Sequence, residues 1–155
     1  FEIQWGYRRL EGSLDLSWLP SSVEIVKIVE NNLTGSLDLT GLPEVLRDLN
    51  LSANMFSGEI SLTSLPKSLE LLDVSFNRLS GSIDVTRLPS KLKELYLQEN
   101  SFSGHADFSK LPPSLVIMKV SYTDIEGQVY QGEGKVFYVS HSNVKIVKQS
   151  RDGKM

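Results

Sequence analysis

The amino-acid sequence predicts a β-solenoid, a coiled repeat array with little or no α-helix. Three observations carry that expectation. Leu-Pro pairs end at Pro20, Pro43, Pro66, Pro89 and Pro112, each 23 residues from the last. Glycines at Gly12, Gly35, Gly58, Gly81, Gly104 and Gly127 keep the same interval. The phrase LSANMFSG at 51–58 returns as VSFNRLSG at 74–81 and as LQENSFSG at 97–104. A fixed period of this size marks stacked coils that bury their apolar sides against one another, and it overrides any segment-by-segment reading.

Each coil has four parts. The first is an inner strand: Val26-Lys27-Ile28, Leu49-Asn50-Leu51, Leu72-Asp73-Val74, Leu95-Tyr96-Leu97 and Met118-Lys119-Val120 alternate apolar and non-core residues with the strand period of two. In a solenoid such strands pair in parallel from coil to coil. The second is a corner, occupied by Asn31, Asn54, Asn77 and Asn100. The bend there turns backbone N–H and C=O groups inward, and an amide side chain offers both donors and an acceptor to its own and the neighbouring coil. A buried asparagine ladder is expected, with the glycine four residues later supplying a backbone conformation or a close approach that a Cβ would hinder.

The third part alternates again, in Leu14-Asp15-Leu16, Leu37-Asp38-Leu39, Ile60-Ser61-Leu62, Ile83-Asp84-Val85 and Ala106-Asp107-Phe108. That pattern suits a short strand on the opposite wall. The fourth part, through the Leu-Pro pair, is too short for a three-turn helix and fits a tight turn or a 3₁₀ piece with proline fixing φ.

Composition excludes several functions. The chain has 155 residues, 40% of them hydrophobic, and a mean hydropathy near zero, enough for one domain with a core and too polar to span a bilayer. Its 16 basic residues are scattered under a net charge of −3, so the footprint of a nucleic-acid binder is missing. There is no cysteine, hence no disulfide, zinc–thiolate site or cysteine nucleophile. His105 and His141 show no metal-ligand spacing and no nucleophile–base arrangement. No phosphate-cradling glycine loop occurs, and no cofactor or catalytic residue is expected.

The segments LRDLNLSANMF, LELLDVSFNRL and LKELYLQENSF resemble leucine-rich repeats. The Ser-Gly pairs at 57–58, 80–81 and 103–104 are similar to the plant-type subclass, although that subclass continues into GxIP. The continuation here, GSLDLTGLP or GSIDVTRLP, looks more like repeats of protist, kinetoplastid-like proteins. The resemblance covers nearly the whole chain. It implies a right-handed curved solenoid with a parallel sheet on the concave wall, short strands and turns on the convex wall, and a use in binding proteins.

Residues 1–155 are read as one domain of about six 23-residue coils. Counting back one period places Ile3, Trp5 and Leu10 at core positions, so Phe1 falls inside a coil and no polar cap precedes it. That edge is expected to have been covered by a removed segment, to fray, or to be used in self-association, with removal favoured. At the other end Thr123 replaces the ladder asparagine. A four-residue deletion would put Phe137, Val139 and Val144 on the positions of Met118, Val120 and Ile125, making 128–155 a shortened last coil and a polar C-terminal cap.

The fold dictates nothing about the outward residues of the concave strands. Tyr7, Ile25, Lys27, Asn50, Leu71, Asp73, Phe76, Tyr96, Ile117, Lys119 and Tyr122 are therefore the candidate ligand contacts. Ordinary strand propensity would also place aromatic and β-branched residues there. Asp15, Asp38, Asp84 and Asp107 form a carboxylate column on the outer wall, yet Ser17, Thr40, Thr86 and Ser109 follow two residues later, so local hydrogen bonding explains them better than calcium. Two glycosylation sequons, at Asn32 and Asn50, matter only in a secreted chain, and a glycan at Asn50 would obstruct the concave face. The reading is a non-catalytic module binding a protein or peptide on its concave sheet, the alternative being a structural spacer or stalk within a larger protein.

Overall fold

The computed structural model describes residues 1–148 and builds them as a parallel β-solenoid. One wall is a seven-stranded sheet of Glu2–Gln4, Ile25–Lys27, Asp48–Asn50, Leu71–Asp73, Glu94–Tyr96, Ile117–Lys119 and Val136–Tyr138, side by side in chain order. Its register repeats the sequence period, with Ile25 opposite Asp48 and Asp48 opposite Leu71. The final pair sets Ile117 opposite Val136, an interval of 19 residues.

Alternation decides what faces inward. The central residue of every strand in this sheet is buried while its two neighbours point outward. A single coil sends Leu42, Leu46, Leu49, Leu51, Phe56, Ile60 and Leu62 into one continuous core. Each internal Leu-Pro turn closes with the proline carbonyl accepting the N–H three residues on, from Pro20 to Val23 at 3.1 Å and from Pro43 to Leu46 at 3.0 Å.

The opposite side departs from the expected strand positions. Its strands are Glu11–Ser13, Asn32–Thr34, Ser57–Gly58, Arg78–Gly81, Ser101–His105, Asp124–Gln131 and Asn143–Lys148, directly after the corner. The Leu-Asp-Leu segments predicted to be strands instead have no regular structure and lead into turns at 40–41, 63–64, 86–87 and 109–110, while Leu16–Trp18 forms the one helical piece among the described residues, a 3₁₀ turn. The cause is competition for backbone groups. Asp15, Asp38, Asp84 and Asp107 each accept the N–H two residues on at 2.9 Å, which bends the chain where a strand would need it straight. Both flanking apolar residues still reach the core, so the period-two pattern was real while the strand was not.

These outer strands also slip by two residues per coil. Gly12 lies opposite Leu33 and Ser80 opposite Ser101, an interval of 21 residues against 23 in the inner sheet. A slip of two keeps each side chain on its face, where a slip of one would turn the core outward. In the last coil the interval is 17, from Glu126 to Asn143, four shorter like its inner counterpart.

Trp5 corrects a second expectation. It stands in the core column, yet it is 37% exposed and stacks on Trp18 with ring centres 5.5 Å apart. A residue in that column is normally enclosed between two coils, and among the described residues Trp5 has a coil on one side. Ile3 is buried as expected, and Leu10 is half-buried. The end of the closing run KIVKQSRDGKM, from residue 149 onward, lies outside the described residues.

Candidate protein-binding face

The corner holds the two walls together. Asn54 accepts the N–H of Leu33 at 3.3 Å and donates to the carbonyls of Ile28 at 2.8 Å, Leu51 at 3.2 Å and Ser52 at 3.2 Å. Asn77 and Asn100 repeat this arrangement against the coil before each. Asn31 accepts from Arg8 and Leu10 and donates to Trp5 and Val29. Asn31, Asn54 and Asn100 are buried and Asn77 is half-buried. Thr123 and Ser142 stand at the same corner further on, where their hydroxyls bond only within their own coil.

The residue before each ladder position carries a feature that sequence reasoning missed. Tyr7, Glu30, Ala53, Phe76, Glu99, Tyr122 and His141 all have φ between 52° and 56°, the left-handed region that costs a non-glycine residue about 1–2 kcal/mol. All of these except His141 have their N–H groups tied across the sheet, Phe76 to Gln98 and Tyr122 to Ser140 at 3.0 Å, so in those six the stacked coils impose the conformation. Phe76 and Tyr122 are consequently splayed outward at the margin of the face, 52% and 51% exposed, and Tyr7 is 72% exposed.

On the strands themselves the predicted contact residues share one surface. Ile25, Leu71 and Ile117 lie in the first outward column, and Lys27, Asn50, Asp73, Tyr96 and Lys119 in the second, all half-buried. Lys119 extends over two rings, its Nζ 5.3 Å from the centre of Tyr96 and 4.8 Å from that of Tyr138. Tyr138 and His141, which stacks on Tyr122 at 4.4 Å, extend this aromatic end. Both were missed because they sit in the shortened coil; stepping 19 residues from Lys119 and Tyr122 reaches them.

Two carboxylates of this face, Asp73 and Asp48, are poorly solvated. Burial pushes Asp73 above the usual carboxylate range, even though Ser75 donates to it from both N–H and hydroxyl. Burial pushes Asp48 up as well, against the opposing pull of Lys27 at 3.3 Å. Burial, followed by the hydrogen bond that its hydroxyl gives Glu94, raises Tyr96 far above the ordinary phenol range. Beside these residues lies a shallow cleft of about 350 Å³, with Ile25 and Leu71 as its apolar part, Asp48 and Glu94 as its acids, and Arg47, Glu70 and Lys93 on its rim. The rim charges satisfy one another, Glu70 being held well below its usual range by Lys93 at 2.6 Å and Arg47 at 2.9 Å.

The sequons differ in setting. Asn32 is exposed on an outer strand, whereas Asn50 is half-buried on the concave face with its side-chain oxygen taken by Ser52. No group of three or more metal-ligating side chains converges among the described residues. No helix there is long and apolar enough to cross a membrane.

Comparison with known proteins agrees with this architecture. The Leucine Rich Repeat family profile matches residues 68–86. No curated protein matches the sequence. Among solved structures, a Pollen Receptor Kinase 3 superposes with a TM-score of 0.69 at 22% identity, over 87% of this chain and 69% of that one. The plant peptide hormone receptor RGFR1, solved in complex with RGF2, gives 0.66 at 26% identity, over 93% of this chain but 28% of the receptor. The BIR3–SERK2 complex from Arabidopsis thaliana gives 0.53 at 25% identity, covering 88% of this chain and 71% of that one. With its 23-residue coils, its parallel inner sheet and its asparagine corner, the chain has the fold of a leucine-rich repeat solenoid, and residues 68–86 match the Leucine Rich Repeat profile.

Proposed function

We propose that this chain is a non-catalytic interaction module that takes a protein or peptide ligand on its concave sheet. One observation carries the reading. Ile25, Leu71 and Ile117, with Phe76, Tyr96 and Tyr122, present apolar and aromatic surface on a wall whose core side is already filled by other residues, so the fold has no use for them where they stand. Lys27, Asp73 and Lys119 would set charge complementarity around these anchors. Two of the similar structures are complexes, one of a receptor with a peptide hormone and one of two proteins, which favours the same kind of partner here. We take residues 1–155 as one repeat domain whose last described coil is the shortened one.

The test is capture by the purified chain beside its Phe76→Ala/Tyr96→Ala variant, from a lysate and a secreted fraction of the source cells. A protein retained by the native chain and lost with the variant supports a concave-face receptor. Equal retention by both, or none, sinks it and favours a spacer whose length alone matters.

A further inference from the structure

We infer that the ligand of the concave face is an extended basic segment, with lysine or arginine side chains three residues apart seated along the first outward column. The inference rests on the concave-face reading and gives that ligand a chemistry. It starts from how charge is divided. Of the 19 acidic and 16 basic residues, the outward positions of the concave face hold Glu2, Glu30, Asp48, Asp73, Glu94 and Glu99 against Lys27 and Lys119, leaving thirteen acids and fourteen bases for the rest of the chain. Practically all the net negative charge therefore lies on this wall.

Its spacing is regular. In the first column Glu2, Asp48 and Glu94 stand on alternate strands, with Ile25 and Leu71 between them and Ile117 beyond. Strands lie about 4.8 Å apart, so successive carboxylates are separated by roughly 9.6 Å. A segment in the polyproline II conformation rises about 3.1 Å per residue with three residues per turn, which returns the same side to the surface every ~9.3 Å. Lysine or arginine at every third position would then meet one carboxylate after another, each aliphatic stem lying over Ile25 or Leu71 in the cleft that also holds Asp48 and Glu94.

The face already favours cations. Burial is the main cause that raises Asp48 and Asp73, and the charges of Glu94 and Glu2 add to it at Asp48, as that of Asp48 does at Asp73, so these carboxylates face a shared space. Lys27 and Lys119 are the lysines among them, one against Asp48 and the other engaged with Tyr96 and Tyr138. An incoming guanidinium or ammonium would relieve like-charge crowding that the chain itself leaves only partly compensated.

The experiment is selection of a random dodecapeptide phage library on the full chain, on Asp48→Asn/Glu94→Gln and on Phe76→Ala/Tyr96→Ala, each checked for native circular dichroism. Neutralising carboxylates that crowd one another leaves the core untouched, and single Glu94→Gln serves if the double variant fails to fold. The native chain should enrich peptides with basic residues spaced by three, and the acid-neutralised variant should lose that bias and bind the best synthetic peptide about tenfold more weakly. Enrichment of neutral or acidic peptides that disappears with Phe76→Ala/Tyr96→Ala overturns this inference and leaves the concave-face reading standing. Enrichment indifferent to both variants, or no enrichment, overturns both.

Discussion

Asp73 on the concave wall and Asp38 on the convex wall make the same two hydrogen bonds. Each accepts the N–H of the residue two positions on at 2.9 Å and its hydroxyl at 2.5 Å. Their titration is nevertheless displaced in opposite directions, Asp38 downward through those bonds and Asp73 upward because burial outweighs them. Identical local chemistry thus supports the fold on one wall and opposes it on the other. The convex aspartates shape a turn, while burial of the concave ones disfavours their charged form. That contrast agrees in energetic terms with the proposed contact surface.

The corner shared by both walls is where the largest loss is expected. Asn54→Leu strands the amide of Leu33 and the carbonyl of Ile28, leaves those of Leu51 and Ser52 with one donor fewer, and should cost about 3 kcal/mol in denaturant unfolding. Thr123→Asn should move the other way by about 1 kcal/mol, since it offers the cross-coil bonds that a hydroxyl does not reach. If neither variant moves the unfolding midpoint, the ladder does not join the walls.

On the convex side two glycines make different demands. A Cβ on Gly127 would sit 2.6 Å from the carbonyl oxygen of Ala106, with φ already +146°, whereas one on Gly58 would have nothing nearer than Ser36 at 3.9 Å and would strain only its φ of +82°. Gly127→Ala should therefore cost about 2–3 kcal/mol and Gly58→Ala about 1 kcal/mol by thermal unfolding. Equal losses would mean that backbone conformation alone sets the requirement.

The carboxylate contrast itself predicts opposite pH signatures. A carboxylate whose folded value is raised favours the fold below the unfolded value of 3.8 and opposes it once pH climbs through the raised value, so Asp73→Asn should stabilise the chain near neutrality, on the order of 1 kcal/mol, and confer nothing below about pH 3.8. Lys119 and Asp48 are the charges facing it. Asp38 is lowered, so its contribution is present above 3.8 and lost as pH falls; Asp38→Asn should give a small loss at neutrality that fades in acid. Melting temperatures of both variants across pH 3 to 8 would decide it, and a shared sign would erase the distinction between the walls.

Much of this was legible in the sequence because a repeat reports each position several times over. The Leu-Pro interval and the alternation around Leu49, Leu72 and Leu95 located the inner sheet, and Asn54 and Asn77 announced the corner. What failed did so for local reasons. Leu37-Asp38-Leu39 alternates like a strand, but an aspartate followed by threonine two residues later captures the backbone that a strand would need. Trp5 fitted the core column yet, among the described residues, has a coil on one side. No residue type signalled the left-handed column, because Tyr7, Phe76 and Tyr122 hold that conformation through hydrogen bonds to the next coil rather than by preference. Tyr138 and His141 were hidden by the change of interval from 23 to 19.

The most direct test sets an aromatic of each wall against the other. Tyr130 is 57% exposed on an outer strand, a counterpart to Phe76 at 52% on the concave margin. Binding of the best peptide selected on the native chain should be measured by calorimetry for the native chain, for Phe76→Ala/Tyr96→Ala and for Tyr130→Ala. Loss of at least about tenfold in affinity for the concave variant, with Tyr130→Ala unchanged, is the predicted result. Equal affinity in all three, or loss only with Tyr130→Ala, would contradict the assignment of the concave sheet as the binding surface.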